Sequence, residues 1–464
     1  MIHYQWASWC SFSEQFTPIL VDLTNRYKDY IYTLGAVAGE TMDAINSYNE
    51  RHSITWDTYQ QGPDNMIRKS ESIGYDEFYP DAILPSVTVF ESKSKTVVFT
   101  DVIQDRNAII DFFEEKFGNI EQDNYTSTDY SQDGVVTTSQ TATKGDGIDI
   151  VLMGDAYSDR QIADGTYKTD MEYIYNNLFT EEPYKSFKDH FNVYYVNVVS
   201  ATEGYEYGNT ALDGYFGDGT LVGGNDNAVF DYALKAISEE EMDEALIIVA
   251  MNSDNYAGTC YTYYPTYTAG TYGSGPSVAY FPKGGDATTF AQLLHHEACG
   301  HGFAKLADEY AYENMGAVPS NYVSEVKAQQ SSWGWWKNID FTSDLANIRW
   351  SRFINDTRYA NEGLGAYEGG LTYWSGVWRP TENSIMRHNT GGFNAPSREA
   401  IYYRIHKLAY GDSWEYDYEE FVEWDERNRT TTATAAQRGV PYKHSSLKPT
   451  HPPVIINKSW RDAK

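Results

Sequence analysis

Cysteine is scarce. Three in 464 residues, Cys10, Cys260 and Cys299, are too few and odd in number for a disulfide framework, and no C-x-x-C pair occurs. Positive charge is also short: 35 Lys and Arg stand against 66 Asp and Glu, a formal net charge of −31. A chain of that sign repels phosphate backbones and anionic bilayers, which argues against nucleic acid or an anionic membrane surface as its main partner. No apolar run reaches the roughly 20 residues of a membrane helix. The opening MIHYQWASWC has neither a basic start nor a small-residue cleavage site, so it is no signal peptide. It reads as the inside of a strand, and a trimmed or incomplete chain is the expectation.

What is present is ample core material, 41% hydrophobic residues, and an abundance of aromatics, with 40 Tyr and 12 Trp. Most of these rings must fill cores, and some can line a cleft for peptide or sugar. The length admits two or three domains.

The chain is organised around HHEACGHGFAKLADEY, from His295 to Tyr310. The approach FAQLL is compatible with a helix, and no proline interrupts the run. His296 and Glu297 are adjacent, and His301 follows five residues after His296. In the common zinc-peptidase pattern H-E-x-x-H the histidines are four apart and share a face. At roughly 100° per residue, a spacing of four leaves side chains about 40° apart and a spacing of five about 140° apart. A regular α-helix would aim His296 and His301 apart. One extra residue taken up as a π-bulge would bring them together, and such bulges concentrate at functional sites. His295 with His301 is the poorer pair. The plain alternative is a buried helix with incidental histidines. Glycines at 300 and 302 and the acidic pair Asp308 and Glu309 weigh against it.

This stretch resembles the metal motif of the IgA-peptidase-like family of zinc metallopeptidases, which ends in the same Leu-Ala-Asp-Glu-Tyr run. Its H-E-x-x-x-H spacing is also similar to the bulged zinc helix of the dipeptidyl peptidase III family. The first resemblance extends through most of residues 146–425. It implies one Zn2+ per chain, with His296 and His301 as ligands and a zinc-bound water activated by Glu297. The third ligand stays open between alternatives. A continuous helix would carry Asp308 about 10 Å beyond His301, so the chain must turn back. Ala304 stands where the metzincin group has a turning glycine, leaving Lys305 or Leu306 to make the turn. Asp308 is the choice, Glu309 the alternative, and Glu313 or Glu325 come third. Ser-Ile-Met-Arg at 384–387 resembles the methionine turn of metzincins, with Met386 as an apolar floor. His388, Tyr402 and Tyr403 are candidate oxyanion donors. Arg387 and Arg398 are candidates to pair with acidic groups or a substrate carboxylate.

The rest of the chain divides around this motif. Residues 1–118 alternate strands and helices and resemble a thioredoxin-like domain: WASWC matches its Trp-Cys entry and Pro85 its cis-proline. The redox pair is replaced by Cys10-Ser-Phe-Ser13, and the first strand of that fold is incomplete. Without a resolving thiol the expectation is a structural or docking domain, although a thiol at a helix N-terminus keeps a reactive environment. Residues 119–145 are polar and aperiodic and read as a linker with at most one short strand. From 146, buried strands such as GIDIVLMGD and EALIIVAM alternate with helices, which implies an α/β sheet. PSVAYF, at 276–281, is the candidate edge strand for pairing with a substrate backbone. Residues 426–464 read as a tail or the start of a further module.

The expectation is therefore an α/β protein with a thioredoxin-like N-terminal domain and a metzincin-like α/β zinc-peptidase domain. It would act as an endopeptidase on a protein or glycoprotein, in a secreted or cell-envelope setting. A glycan- or protein-binding module with a structural or degenerate metal site is the competing expectation. A thiol-dependent redox role for Cys10 is the third.

Overall fold

The computed structural model describes residues 1–27, 31–38, 40–61, 85–91, 94, 96–102, 106–117, 125–205, 209–266, 275–284, 287–389, 391–429 and 450–464. Two compact units divide the chain, Met1–Asp123 and Asn124–Lys464.

In the first unit, β1 (Ile2–Trp6) leads into α1 (Ser11–Arg26), then β2 (Thr33–Ala38), α2 (Met42–Arg51) and β3 (Asp57–Gln61). A hairpin of β4 (Ser86–Glu91) and β5 (Thr96–Val102) and a closing helix α3 (Arg106–Phe117) complete it. The sheet order is β3-β2-β1-β4-β5, parallel across β1, β2 and β3 and antiparallel from β1 to β4 and β5. That is a thioredoxin-like arrangement, with β1 central and buried throughout. Trp6 stacks on Tyr48 at 3.9 Å between ring centres. Cys10 occupies the N-cap position of α1, without a side-chain capping bond, and is buried. Ser13 is fully buried, and its hydroxyl accepts from the Ala7 amide at 3.4 Å. The Leu84–Pro85 bond expected to be cis falls partly outside the described residues.

The second unit is built on a seven-stranded sheet. Its strands are β6 (Val136–Gln140), β7 (Ile148–Asp155), β8 (Phe191–Val196), β11 (Leu246–Met251), β12 (Thr259–Tyr263), β13 (Ser277–Pro282) and β17 (Val454–Ile456), in the order β17-β12-β13-β11-β7-β8-β6. Apart from it stand a small ribbon, β9 (Tyr215–Phe216) and β10 (Val222–Gly223), and a three-stranded sheet of β14 (Ala311–Ala317), β16 (Thr372–Arg379) and β15 (Tyr367–Gly370). Every residue of β7, β11 and β13 is buried. These are continuous apolar runs because both faces of a largely parallel sheet are covered. Alternate side chains serve the two faces. Ile150, Leu152, Leu246 and Ile248 join a core with α4 (Thr166–Leu178) and α8 (Ala395–Tyr410). Val151, Met153, Ile247 and Val249 join another with α5 (Asp226–Ala233). Each such side chain contributes roughly 1.5–3 kcal/mol of burial.

Three expectations shift here. PSVAYF is not an edge: β13 lies between β11, to which it is parallel, and β12, to which it is antiparallel. Its apolar side chains are those of a strand enclosed on every side, and β12 lies beyond it. The stretch at 125–145 belongs to the second unit, where β6 pairs antiparallel with β8. At the other end of the chain β17 pairs parallel with β12, so the described part of the tail is integrated into the sheet.

Candidate metal centre

Helix α6 (Ala287–Leu294) runs out from the sheet and continues as a π-helical segment, His295–Phe303, buried throughout. The wider turn is recorded in its ladder: the Ala304 amide donates to the Cys299 carbonyl, five residues back, at 3.0 Å. This is the bulge that the five-residue spacing calls for, and it brings the two histidines round to one side. Their ring centres are 4.7 Å apart. Gly300 is required there: a Cβ would lie 2.3 Å from the Met386 sulfur. Met386 is fully buried under the segment, as a floor.

The chain then reverses. Ala304 keeps a right-handed conformation, and Lys305 makes the turn at φ 55°. A left-handed lysine costs roughly 1–2 kcal/mol. Its ammonium group is held by the Ser277 hydroxyl and by the Gly302 carbonyl at 2.8 Å. This turn returns Asp308 to the histidines.

His296 Nε2, His301 Nε2 and Asp308 Oδ1 form a triangle with sides of 3.0, 3.2 and 3.2 Å. All three residues are buried. The Nδ1 atoms are occupied: that of His296 donates to the Ile385 carbonyl at 2.9 Å and that of His301 to the Leu306 carbonyl at 2.8 Å. Each ring therefore turns a lone pair at Nε2 inward, towards the other and towards a carboxylate oxygen. Three electron-rich atoms at this spacing, away from water, need a cation among them. Ligands at 2.0–2.1 Å around tetrahedral zinc are about 3.3–3.4 Å apart, so the donor set fits such an ion. Without a metal a proton must substitute. Burial disfavours charge on His301, but Asp308 and Glu297 outweigh it and raise the ring to about 9. Burial likewise works against the Asp308 carboxylate, and the two histidines more than offset it, leaving Asp308 below its ordinary range.

Glu297 is fully buried beside this triangle; among the described residues neither of its carboxylate oxygens has a well-formed hydrogen bond, and the Thr450 side chain lies against it. Burial pushes its carboxyl up, partly offset by His296 and His301. Gly258 makes room for it, since a Cβ there would lie 2.9 Å from Glu297 Cγ. A buried carboxyl with spare oxygens, next to a cation site, is poised to exchange a proton.

Glu309 points elsewhere. It accepts from Asn338 at 2.9 Å, from Asn394 at 2.9 and 3.1 Å and from Ser384 at 2.6 Å. With the Glu309 amide on the Met386 carbonyl at 2.8 Å, these bonds tie the returning loop to the floor. Glu313 lies exposed on β14 (Ala311–Ala317) and Glu325 exposed on α7 (Ser320–Trp333). Arg398 is taken up by Asp425 at 2.7 and 2.8 Å and by Glu362 at 3.2 Å. Arg387 bonds the Glu382 carbonyl. Tyr402 belongs to an aromatic cluster with Phe187, His406 and Trp424. Tyr403 lines a cavity of about 490 Å³ with Arg349, Arg352 and Tyr416, and its ring packs on Trp414. His388 ends the short helix Ile385–His388. Sequence reasoning missed Gly258, the backbone acceptors at Ile385 and Leu306, and the Asn338 and Asn394 amides. Only Asn394 carried a signal, as the N-cap residue before Ala395-Pro396.

An α/β sheet with a π-distorted helix presents two histidines and a glutamate, with an aspartate turned back onto them, and the His296, His301 and Asp308 atoms form a group that could hold a metal ion. Residues 136–361, within the second unit, match the model of the family described as IgA Peptidase M64. No curated protein matches the chain. Among solved structures, a thiol-disulfide oxidoreductase from Bacteroides fragilis is 21% identical over 25% of this chain and 78% of its own, with a TM-score of 0.20. A thioredoxin-family thiol:disulfide interchange protein from Chlorobium tepidum is 19% identical over 25% and 76%, at 0.21. A secreted disulfide oxidoreductase from Mycobacterium tuberculosis is 12% identical over 23% and 75%, at 0.19.

Proposed function

We propose that the second unit is a zinc-dependent endopeptidase, with His296, His301 and Asp308 as the metal ligands and Glu297 as the general base. The observation that carries this reading is the triangle of inward-facing lone pairs with a buried glutamate beside it. A bound zinc ion would polarise the scissile carbonyl and lower the pKa of water towards about 7. The Ile385 and Leu306 carbonyls fix the tautomer and tilt of both rings. The Glu297 carboxylate takes the proton of the attacking water and delivers it to the leaving amine nitrogen, and its raised pKa suits both steps. Met386 holds the floor rigid and takes no part in proton transfer.

The substrate class is protein or glycoprotein. Immunoglobulin A enters only through the family's name. A secreted or cell-envelope location suits such a substrate, and no helix among the described residues is long and apolar enough to cross a membrane. The first unit, with Ser13 where a resolving cysteine would stand, fits a structural or docking role.

The test is Glu297→Gln, which keeps shape and removes the base. Expected are one equivalent of zinc in both proteins and loss of casein cleavage by at least about 10²-fold in the variant. Equal cleavage by both would overturn the assignment of Glu297. Zinc bound with no cleavage by either protein would favour the binding module.

A further inference from the structure

The centre is closed. His296, Glu297, His301 and Asp308 are each at most 2% exposed, so a peptide bond reaches them only if something moves. Among the described residues, the C-terminal segment is placed to be that cover. The Tyr310 hydroxyl donates to the Thr450 carbonyl at 2.8 Å, and the His451 amide donates to the Gly258 carbonyl at 3.2 Å. Thr450 is 1% exposed, with its side chain against Glu297. Beyond Pro452 and Pro453, β17 lies along β12, with Val454, Ile455 and Ile456 opposite Tyr261, Thr262 and Tyr263. The Tyr264 amide bonds the carbonyls of Ile456 at 3.3 Å and Lys458 at 3.1 Å. Ile455 packs against the cluster of Trp335, Trp336 and Leu371. Trp460 is buried against Phe230, and its indole N–H donates to Asp243 at 2.5 Å.

An extended peptide docks on a sheet through its free edge. Here β12 is the strand that would offer that edge next to Glu297, and β17 already fills it. The segment nearest the glutamate is Thr450-His451-Pro452-Pro453, whose two prolines lack an N–H and hold φ fixed. It is a poor strand and a poor substrate, held in place by the pairing and by the Trp460 anchor that follow.

We propose that residues 450–464 form an autoinhibitory strap, which occupies the substrate edge of β12 and seals the metal centre until it is displaced. This rests on the peptidase reading above. The strap competes with a substrate strand for the same amides and carbonyls of β12, so activity is set by its release.

The experiment uses the full chain with Ile455→Glu, which puts a charge into an apolar contact, and separately Ile455→Pro, which removes a strand amide. Two rates are read in each: stripping of zinc by 1,10-phenanthroline, and cleavage of casein. Both should rise about tenfold or more over wild type, and a synthetic peptide of residues 450–464 added in excess should reverse both. Variants that melt as wild type does, and strip and cleave at its rates, overturn the strap. Faster stripping with no cleavage by any chain leaves the cover standing and removes the peptidase reading instead. Full cleavage by wild type, unchanged in the variants, removes the strap and leaves the peptidase.

Discussion

His296 and His301 stand five residues apart in sequence, yet their Nε2 atoms are 3.0 Å apart. The π-helical turn between them makes that approach possible, and Asp308 completes the triangle at 3.2 Å from each. His301→Ala and Asp308→Asn should each weaken metal binding by at least about 10-fold, because each removes a donor atom or its charge. A ligand that binds only the folded state at about 100 times its Kd stabilises by about 2.7 kcal/mol. Chelation should therefore lower the melting temperature of the wild type, and lower that of His301→Ala by less. Metal analysis and thermal melts with and without chelator check both points. A wild type whose melting ignores the chelator would contradict the assignment.

Gly300 and Met386 are a packed pair, and their coupling is measurable. A Cβ at 300 would sit 2.3 Å from the Met386 sulfur and 2.8 Å from its methyl carbon. Gly300→Ala should destabilise the domain by about 1–3 kcal/mol through overpacking. Met386→Ala makes room, so the double variant should lose less than the sum of the single losses. Urea unfolding of the four proteins gives the coupling energy. Strict additivity would show that Met386 does not support the bulged helix.

Much of this centre was legible in the sequence. The spacing of His296 and His301 excludes a regular helix if both bind one ion, so the bulge followed from geometry. Asp308 could be reached only by a reversal, and Ala304 left that to a neighbour. The structure puts it at Lys305, where buried bonds to Ser277 and Gly302 stabilise a turn that local preference disfavours. Those bonds are long-range, and nothing near Lys305 in sequence announces Ser277. Glu309 is likewise turned away by Asn338, Ser384 and Asn394, and nothing near it in sequence announces those partners. The order of strands was not legible for the same reason. TCYTY and SVAYFP are both short apolar runs, and which one lies nearer the edge is decided by pairing across the fold. A three-residue strand such as Val454–Ile456 is too short to show a period. In the first unit the alternation of strands and helices placed most elements, but the polar strand Asp57–Gln61 was not legible.

Arg398 and Asp425 form a buried, two-point ion pair at 2.7 and 2.8 Å, with the Tyr359 hydroxyl on Asp425 at 3.0 Å. Arg398 sits in the first turn of α8, just after Asn394, which holds Glu309. Breaking one side leaves an uncompensated charge, so Arg398→Met should cost about 3–5 kcal/mol. Arg398→Met with Asp425→Leu should cost less than Arg398→Met alone, since the Asp425 charge is then not stranded and only Glu362 loses its partner. Denaturant titration decides it. If Arg398→Met unfolds as the wild type does, the pair is not what holds this helix start.

His190 and His406 are neutral acceptors or donors in one aromatic cluster. His190 donates from Nδ1 to the Phe187 carbonyl at 3.2 Å and accepts from the Tyr410 hydroxyl at 2.9 Å. His406 donates to the Tyr402 carbonyl at 2.8 Å and stacks on Trp414 at 5.0 Å. Burial lowers both rings below the ordinary 6.5, against the pull of those backbone acceptors. In the unfolded chain they protonate from about pH 6.5 downward, and in the folded chain only at lower pH. The unfolded state then binds more protons, so their contribution is fully present above about pH 6.5 and is lost as pH falls through their folded values. The slope is at most about 1.4 kcal/mol per pH unit for each ring. Buried acids with raised values, such as Asp226 and Glu309, act in the opposite sense, so the comparison must be between variants. His190→Gln with His406→Gln should lose less stability than wild type between pH 7.5 and 5.5, measured by urea midpoints at each pH. Parallel pH curves for the two proteins would show that these rings do not carry the acid sensitivity.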